Sequence, residues 1–520
     1  MKKSWTNSAS DPVKAPEPQL IGPPPPIRLR AGPRPSRVIT HILAPMRFCN
    51  ALLLTISSMS SSAQVPQLWG MATNGGANDK GTIFHIDGDG TDFVKVFDFD
   101  EASGWGPEAG LCAAPNGKLY GTTAHGGTAS PIGGTLFSFD PNGAGFHKIL
   151  DFDVTNGGGN WGTLVLGADG ALYGGQYMGG GGGGSIYRVD PATDEYDILY
   201  GLNTTTDGSG ITDKLLAGSD GWLYGTAHYG GASNVGTLFR FDPVGHVFQT
   251  LHDFAGGEGG DTPYGGLCEA ANGWLYGITF LGGLNSVGII YKYDPVTDQF
   301  ETVAALDTIP GSNCWSSMVQ AGPDLLIGSV PIGGQFGSGF LFGITPSTDA
   351  FSEVLSFTPV NGGNQLGNVM LGSDGMIYGL CQSGGTGGLG TVYRFDPIDH
   401  AVTNLHSFAY ASDGGAPRGD LVEAGTAVGA DERSPAMDIS VWPNPTSGPL
   451  NVVCSCPPSG PVRSTLRDAL GRVVATGLLK GGTASFDLPA EAGSYTLTLE
   501  SDTFRRDLRV VRCRDRSAME

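Results

Sequence analysis

Three aromatic residues occupy one equivalent position of a repeated segment, where flat rings could bind a sugar. Trp161, Tyr264 and Trp315 each lie three residues before the first apolar residue of a predicted strand. Other copies hold Glu108 or Arg418 there. Aromatic faces among hydrogen-bonding side chains can stack on the C–H faces of sugar rings, so we expect a carbohydrate site. Packing between repeats is the alternative function of these aromatics.

Two histidines, His125 and His228, lie in equivalent loops two copies apart. Imidazole is a common metal ligand, but the corresponding positions nearby hold Asn74, Tyr177 or Phe280 rather than further ligands. We therefore place both histidines among the ligand-binding candidates, as hydrogen-bonding groups. We predict no metal site and no cofactor.

Catalytic residues cannot be assigned from sequence spacing. Residues 87–92 space carboxylates as a calcium loop does, but they align with the turns of other copies and lack the closing Glu, so we predict a hairpin. The glycine run 179–184 is not followed by the Lys-Ser/Thr of a phosphate loop. We expect a non-catalytic protein. A polysaccharide lyase or hydrolase that uses loop carboxylates is the alternative.

These residues belong to a segment that occurs seven times. Successive copies begin 51, 53, 51, 52, 51 and 51 residues apart, each with a double glycine at the seventh and eighth positions after its start. The starts are Leu68, Leu119, Leu172, Leu223, Leu275, Leu326 and Ile377. A fixed period of about 50 residues with several short apolar segments predicts a propeller or a solenoid.

Each copy contains four strand-like segments, which predicts one four-stranded antiparallel blade. In the fourth copy the predicted strands are 215–217, 223–227, 237–241 and 248–254. An Asn-Gly or Asp-Gly turn joins the first two segments, and an Asp-Pro turn joins the last two. The first copy lacks its first strand, and residues 421–424 form a strand with no continuation. We predict that this strand completes the first blade and closes a seven-bladed ring over residues 64–425.

The repeat pattern LYGTxxxGGxxxxGTLFxFDP is similar to kelch-type propeller repeats and, more closely, to the "GloVer" repeats of exported bacterial proteins. The resemblance covers residues 68–425 and implies the propeller fold. It leaves the function open, because propellers include both enzymes and binding platforms.

A second domain is predicted after a polar linker at residues 426–437. Residues 438–513 alternate apolar and polar types between glycine turns, which predicts a small β-sandwich. This segment resembles the C-terminal sorting domain of the type IX secretion system. The residues that carry the resemblance are Pro443, Asn444, Pro445, Gly448, Gly471, Gly493 and Tyr495. The resemblance implies recognition by that machinery at the outer membrane, followed by removal of the domain or its replacement by a lipopolysaccharide-type anchor.

The N-terminal region has the features of an export signal placed after an over-long start. Residues 1–45 contain ten prolines and are predicted to be disordered. Residues 46–63 combine a basic residue, a short apolar run and small residues, which predicts a signal peptide cleaved after Ala63. We therefore expect translation to start at Met46. No other stretch has the length of a transmembrane segment.

The net charge of the chain argues against nucleic acid and anionic lipid as partners. The chain carries 29 Lys and Arg against 50 Asp and Glu, a net charge of −21. Such an acidic surface repels nucleic acid and anionic lipid. We predict an all-β, secreted or cell-surface binding or adhesion module, with extracellular polysaccharide or a surface protein as its partner. A structural surface-layer protein is a further alternative.

Overall fold

The computed structural model describes residues 65–424, except 129–132, 144, 154, 180–181, 285, 307–310 and 313, and also the strands within 439–512. The predicted disordered region 1–45, signal peptide 46–63 and linker 426–437 lie outside the described residues. So do Pro443, Asn444, Pro445, Gly448 and Gly471.

Within residues 65–424 the chain forms a seven-bladed β-propeller, in which each blade is a four-stranded antiparallel sheet. Blade 1 contains Gln67–Ala72, Thr82–Asp87, Val94–Asp98 and Val422–Glu423. Blade 2 contains Cys112–Ala113, Leu119–Thr122, Thr135–Asp140 and Gly145–Asp151. Blade 3 contains Val165–Leu166, Leu172–Gln176, Ser185–Val189 and Tyr196–Gly201. Blade 4 contains Leu216–Ala217, Leu223–Ala227, Thr237–Asp242 and Val247–Asp253.

The remaining blades repeat this arrangement. Blade 5 contains Cys268–Glu269, Leu275–Ile278, Ile289–Asp294 and Gln299–Ala305. Blade 6 contains Val319–Gly322, Leu325–Val330, Phe340–Thr345 and Ala350–Ser356. Blade 7 contains Met370–Leu371, Ile377–Cys381, Thr391–Phe395 and Val402–Ser407. A short ribbon pairs Gly311–Ser312 with Ile332–Gly333, and one 3₁₀ turn spans Gly257–Gly259.

The predicted ring closure is confirmed. Leu68 pairs with Glu423 and Trp69 pairs with Val422, so the last strand of the ring is the innermost strand of blade 1. The hydroxyl of Thr82 also donates to the carbonyl of Asp413 over 2.9 Å, 331 residues away. This pairing supplies the fourth strand of blade 1, so that all seven blades are complete four-stranded sheets.

The Leu-Tyr-Gly signature has a packing explanation, which blade 4 illustrates. The Tyr224 hydroxyl donates to the Asp220 carboxylate over 2.7 Å, which ties the second strand to the hairpin before it. The same Tyr–Asp bond joins Tyr173 to Asp169 and Tyr378 to Asp374. At Gly225 an added Cβ would lie 2.5 Å from the Phe239 ring, so the third strand packs closely only against glycine. Repetition of these contacts accounts for the repeated letters.

The core lies between neighbouring blades. One cluster joins Tyr224 and Leu238 of blade 4 to Leu275 and Tyr291 of blade 5, and all four are almost fully buried. Burying an aliphatic or aromatic side chain contributes about 1.5–3 kcal/mol. Adjacent blades are therefore held together by apolar contact along their faces.

The strand boundaries predicted for blade 4 differ from the structure by one residue at four of the eight strand ends. Its innermost strand is Leu216–Ala217 rather than residues 215–217, and its outermost strand is Val247–Asp253 rather than residues 248–254. The third strand extends by one residue to Asp242, while the second is as predicted.

Two further sheets are described in the C-terminal region. One contains Ile439–Trp442, Leu450–Cys454 and Thr483–Phe486. The other contains Val462–Arg467, Val473–Leu479, Gly493–Glu500 and Arg505–Arg512. Gly493 pairs with Arg512 and Tyr495 with Val510. In the described part of the chain, no helix has the length and apolar character needed to cross a bilayer.

Candidate binding site at the channel mouth

A cavity of about 360 Å³, here called the upper cavity, opens on the central channel. Every blade contributes to its lining the residue three places before the buried apolar residue that immediately precedes its innermost strand. These seven residues are Glu108, Trp161, Thr212, Tyr264, Trp315, Leu366 and Arg418. His125 and Tyr177 join them from loops between the second and third strands of their blades. Inter-blade loops and strand 2–3 loops therefore meet at one end of the channel.

The three predicted aromatics lie on one side of this cavity. Trp161 lies 4.8 Å from Tyr177 between ring centroids, with the planes inclined by 39°. Tyr264 stacks on Trp315 at 4.7 Å and 22°. All four side chains are half-buried and line the upper cavity, so we call them the aromatic wall. Tyr177 joins the three residues that the repeat position predicted.

His228 links the two halves of the aromatic wall but does not line the cavity. Its ring is fully buried and stacks between Tyr177, at 5.2 Å, and Tyr264, at 4.6 Å. Burial lowers the pKa of His228 to about 4, although a 2.8 Å bond between Nδ1 and the Gly210 carbonyl opposes the shift. The ring is therefore neutral at neutral pH and donates through Nδ1. The sequence places His228 among the ligand-binding candidates, and in the structure its buried ring supports the aromatic wall from behind, outside the lining of the upper cavity.

His125 does line the upper cavity, and it lies 4.3 Å from Trp105 between ring centroids. The Lys80 ammonium lies 4.4 Å from the centre of the same indole ring. His125 and His228 do not converge on a common point. Among the residues that the structure describes, no three His, Cys, Asp or Glu side chains are grouped to hold a metal ion.

An ion pair also lines the upper cavity. Arg418 Nη1 lies 3.0 Å from Glu108 Oε1, and both side chains are half-buried. The pair supplies charged hydrogen-bonding groups beside the aromatic rings. A ligand in the cavity would thus meet flat apolar faces and polar groups together.

Below the upper cavity, seven residues, one from each blade, form a hydrogen-bonded layer that we call the channel floor. They are Gly110, Thr163, Asp213, Gly266, Ser317, Asn368 and Asp420. The Gly110 amide donates to Thr163 Oγ1 over 2.8 Å, and Thr163 Oγ1 donates to Asp420 over 3.1 Å.

Asn368 is the centre of the channel floor. Its Nδ2 donates to Asp213 and to Asp420, each over 3.1 Å, and its backbone amide donates to Asp420 over 2.8 Å. Its side-chain carbonyl accepts a hydrogen bond from the Ser317 amide. Asp213 also accepts from the Gly266 amide over 2.6 Å. Side chains and amides from all seven blades are thus bonded across the channel.

The floor carboxylates interact electrostatically. Burial and the neighbouring charge of Asp420 together raise the pKa of Asp213 to about 6. Lys214 Nζ lies 3.6 Å from Asp420 Oδ2. Burial by itself would lower the pKa of Lys214, but Asp420 and Asp213 outweigh it and the net shift is upward. Lys214 is therefore cationic at neutral pH.

A second cavity of about 610 Å³ is lined by the innermost strands below the floor. Thr163 and Asp420 line both cavities, so the floor separates them. Cys112 and Cys268 line the lower cavity and are not paired. Burial raises the pKa of Cys112 to about 11 and that of Cys268 to about 12, so both thiols stay protonated at neutral pH.

The floor residues are not among the candidates predicted from the sequence. Asp213, Asn368 and Asp420 come one or two positions after Thr212, Leu366 and Arg418, in three different copies. A signal was present, because the position two residues before the innermost strand is polar in several copies, as at Thr163 and Ser317. Convergence of these side chains follows only from ring closure.

Solved structures of two bacterial proteins resemble the chain at low identity. The chain resembles, at 16% identity, a periplasmic gluconolactonase of Pseudomonas aeruginosa, with a TM-score of 0.46 over 68% of this chain and 98% of the other. A candidate 6-phosphogluconolactonase of Bacteroides fragilis is 14% identical, with a TM-score of 0.48 over 69% of this chain and 98% of the other. Identities this low concern the fold alone. Among curated proteins, none matches the chain.

The model of the Gloeobacter/Verrucomicrobia repeat matches residues 56–181 and 255–434, which together are more than half of the chain. These segments include most of the repeats identified above and the strand that closes the ring. The chain therefore belongs to the Gloeobacter/Verrucomicrobia repeat family.

Proposed function

We propose that the protein is a secreted or cell-surface propeller that binds carbohydrate in the upper cavity without catalysis. The observation that carries this proposal is the aromatic wall, in which four half-buried rings line one cavity. Its volume of about 360 Å³ lies within the range of about 300–1,000 Å³ usual for small-molecule sites.

The lining suits a sugar in two ways. The rings of Trp161, Tyr264 and Trp315 offer flat faces on which the C–H surface of a pyranose stacks. The Arg418–Glu108 pair and the Thr212 hydroxyl offer donors and acceptors for hydroxyl groups. Flat aromatic faces that contact the sugar ring, with polar groups beside them that bind its hydroxyl groups, are the pattern expected of a carbohydrate-binding module.

The delivery route is part of the proposal. We assign residues 46–63 to a signal peptide and residues 438–513 to a sorting domain recognised by the type IX secretion machinery. The two C-terminal sheets support this assignment, because a sorting domain of this type is a sandwich of two sheets, and Gly493 and Tyr495 begin one of the paired strands. We also propose that the repeats are related to kelch-type propeller repeats.

A second candidate function is polysaccharide cleavage, and one observation favours it. Asp213 lines the upper cavity, and burial with the charge of Asp420 raises its pKa to about 6. Carboxyl groups whose surroundings separate their pKa values can act as acid and base. In that case Asp213 would donate the proton.

The experiment incubates the full chain with a panel of insoluble polysaccharides and measures retained protein and new reducing ends in the same samples. Trp161→Ala and Trp315→Ala should each weaken retention at least about tenfold. Trp222→Ala is the matched control, because Trp222 contacts Arg240 at 4.5 Å and lies in the hairpin at the other end of its blade.

Each result has a distinct meaning. Retention without cleavage that depends on Trp161 and Trp315 supports the binding module. New reducing ends that disappear in Asp213→Asn favour the enzyme. Failure to bind any polysaccharide overturns the carbohydrate proposal and favours a protein partner or a structural surface-layer function.

A further inference from the structure

We propose that the sugar bound in the upper cavity carries a protonated amine, held between the aromatic wall and the carboxylate of Asp213. This inference rests on the proposed carbohydrate-binding function and specifies its substrate class. Amino sugars that are not acetylated have this chemistry.

The charges around the cavity do not balance. Arg418 neutralises Glu108 at 3.0 Å. Lys214 lies 3.6 Å from Asp420, and its side chain lines the lower cavity rather than the upper one. Asp213 is then the remaining carboxylate of the channel floor, so the site carries one excess negative charge. A ligand with a single positive charge per sugar unit would neutralise this excess charge.

The geometry leaves Asp213 able to accept a further hydrogen bond. Its carboxylate accepts from the amides of Lys214, over 2.7 Å, and Gly266, over 2.6 Å, and from Asn368 Nδ2 over 3.1 Å. An ionised carboxylate has about four acceptor positions, so these bonds leave one position. Asp213 lines the upper cavity, where a ligand ammonium can reach that position.

The aromatic wall favours a cation for a second reason. The faces of Trp and Tyr rings attract ammonium groups by about 0.5–2 kcal/mol, more when water is excluded. Trp161, Tyr177, Tyr264 and Trp315 line the same cavity as Asp213. The net charge of −21 also attracts cationic ligands at long range. The raised pKa of Asp213 agrees with a site that favours a cation, because burial and the charge of Asp420 make the ionised carboxylate less favourable in the absence of a ligand.

The test uses three β-1,4-linked oligosaccharides of equal length that differ only at C2, built from glucosamine, N-acetylglucosamine or glucose. Isothermal titration measures the affinity of the full chain for each oligomer, at a pH above the pKa of Asp213, which is about 6, and below the pKa of the amine. We expect the glucosamine oligomer to bind at least about tenfold more tightly than the glucose oligomer, which corresponds to about 1.4 kcal/mol. Added salt should reduce this advantage.

Two variants separate the site from general surface attraction. Asp213→Asn should remove the preference for the glucosamine oligomer over the glucose oligomer. Glu258→Gln removes one charge from an exposed residue and should change neither value. If Asp213→Asn does not fold, the comparison of the three oligomers with the unmodified protein still decides, because it needs no variant.

Four results would overturn the inference. Equal affinity for the three oligomers would reject the amine while the carbohydrate-binding function stands. Tighter binding of the acetylated oligomer would have the same meaning. Binding of none of them, or glucosamine binding that persists in Trp161→Ala, would reject both the inference and the proposed site.

Discussion

The Asn368 side chain donates a 3.1 Å hydrogen bond to the carboxylate of Asp213, 155 residues away in the sequence. The bond crosses the central channel from blade 7 to blade 4. The contact belongs to the channel floor, in which every blade has a bonded residue. The blades are therefore joined by hydrogen bonds at the centre of the ring as well as by apolar contacts between neighbouring faces.

Replacing Asn368 by Ala should lower the free energy of unfolding by about 3 kcal/mol, because buried partners left without a hydrogen bond cost about 1–3 kcal/mol each. Asp213, Asp420 and the Ser317 amide would each lose a partner. Urea titration followed by tryptophan fluorescence measures the effect. Asn142→Ala, in an exposed turn, is the control. Equal stability of both variants would contradict a stabilising floor.

His228→Phe should reduce the loss of stability in acid. The unfolded chain protonates this histidine below pH 6.5, whereas the folded protein, with its pKa lowered to about 4, stays neutral. Stability is therefore lost as the pH falls from 6.5 to 4, by about 3 kcal/mol at most. Phenylalanine keeps the stacking and does not titrate. Melting temperatures across this window should fall less steeply in the variant, and parallel curves would disprove the assignment.

Asp213→Asn should have the opposite effect on pH dependence. The folded pKa of Asp213 is raised from 3.8 to about 6, so its contribution to stability is complete below pH 3.8 and is lost as the pH rises through 6. The variant should therefore lose less stability than the unmodified protein over that rise. Thermal unfolding measured at both ends of the window tests this, with Glu258→Gln as the control for charge alone. If the variant loses as much stability between pH 3.8 and pH 6 as the unmodified protein does, the pKa of Asp213 is not raised in the folded state.

Leu421→Ala should destabilise the ring by about 2–5 kcal/mol, the usual cost of truncating a buried leucine. Leu421 is 4% exposed and packs with Leu68 and Phe84 of blade 1, next to the strand that closes the ring. Leu284→Ala, where the side chain is 71% exposed, should change stability by less than about 0.5 kcal/mol. Chemical unfolding of the two variants compares them. Similar small losses would mean that closure does not depend on this contact.

Much of the fold could be predicted because each copy repeats the same local contacts. The Tyr224–Asp220 bond and the close approach of Gly225 to Phe239 recur across blades, so their residue types recur in the sequence. The strand after Leu421 takes the place of the strand missing before Leu68 and pairs with the strand at Leu68. This pairing could be predicted because an incomplete blade would leave a strand edge exposed, which is unfavourable. The position shared by Trp161, Tyr264 and Trp315 likewise predicted that they would lie on the same side of the blades.

The sequence by itself therefore determined the seven blades, the closure of the ring and the position of the aromatic residues, because all three follow from local patterns repeated at a constant period. Only the tertiary structure decided that His228 is buried between Tyr177 and Tyr264, and that Asp213 and Asp420 meet through Asn368. These contacts join residues of different blades across the channel. Their distances depend on ring curvature and side-chain direction, neither of which the repeat pattern encodes.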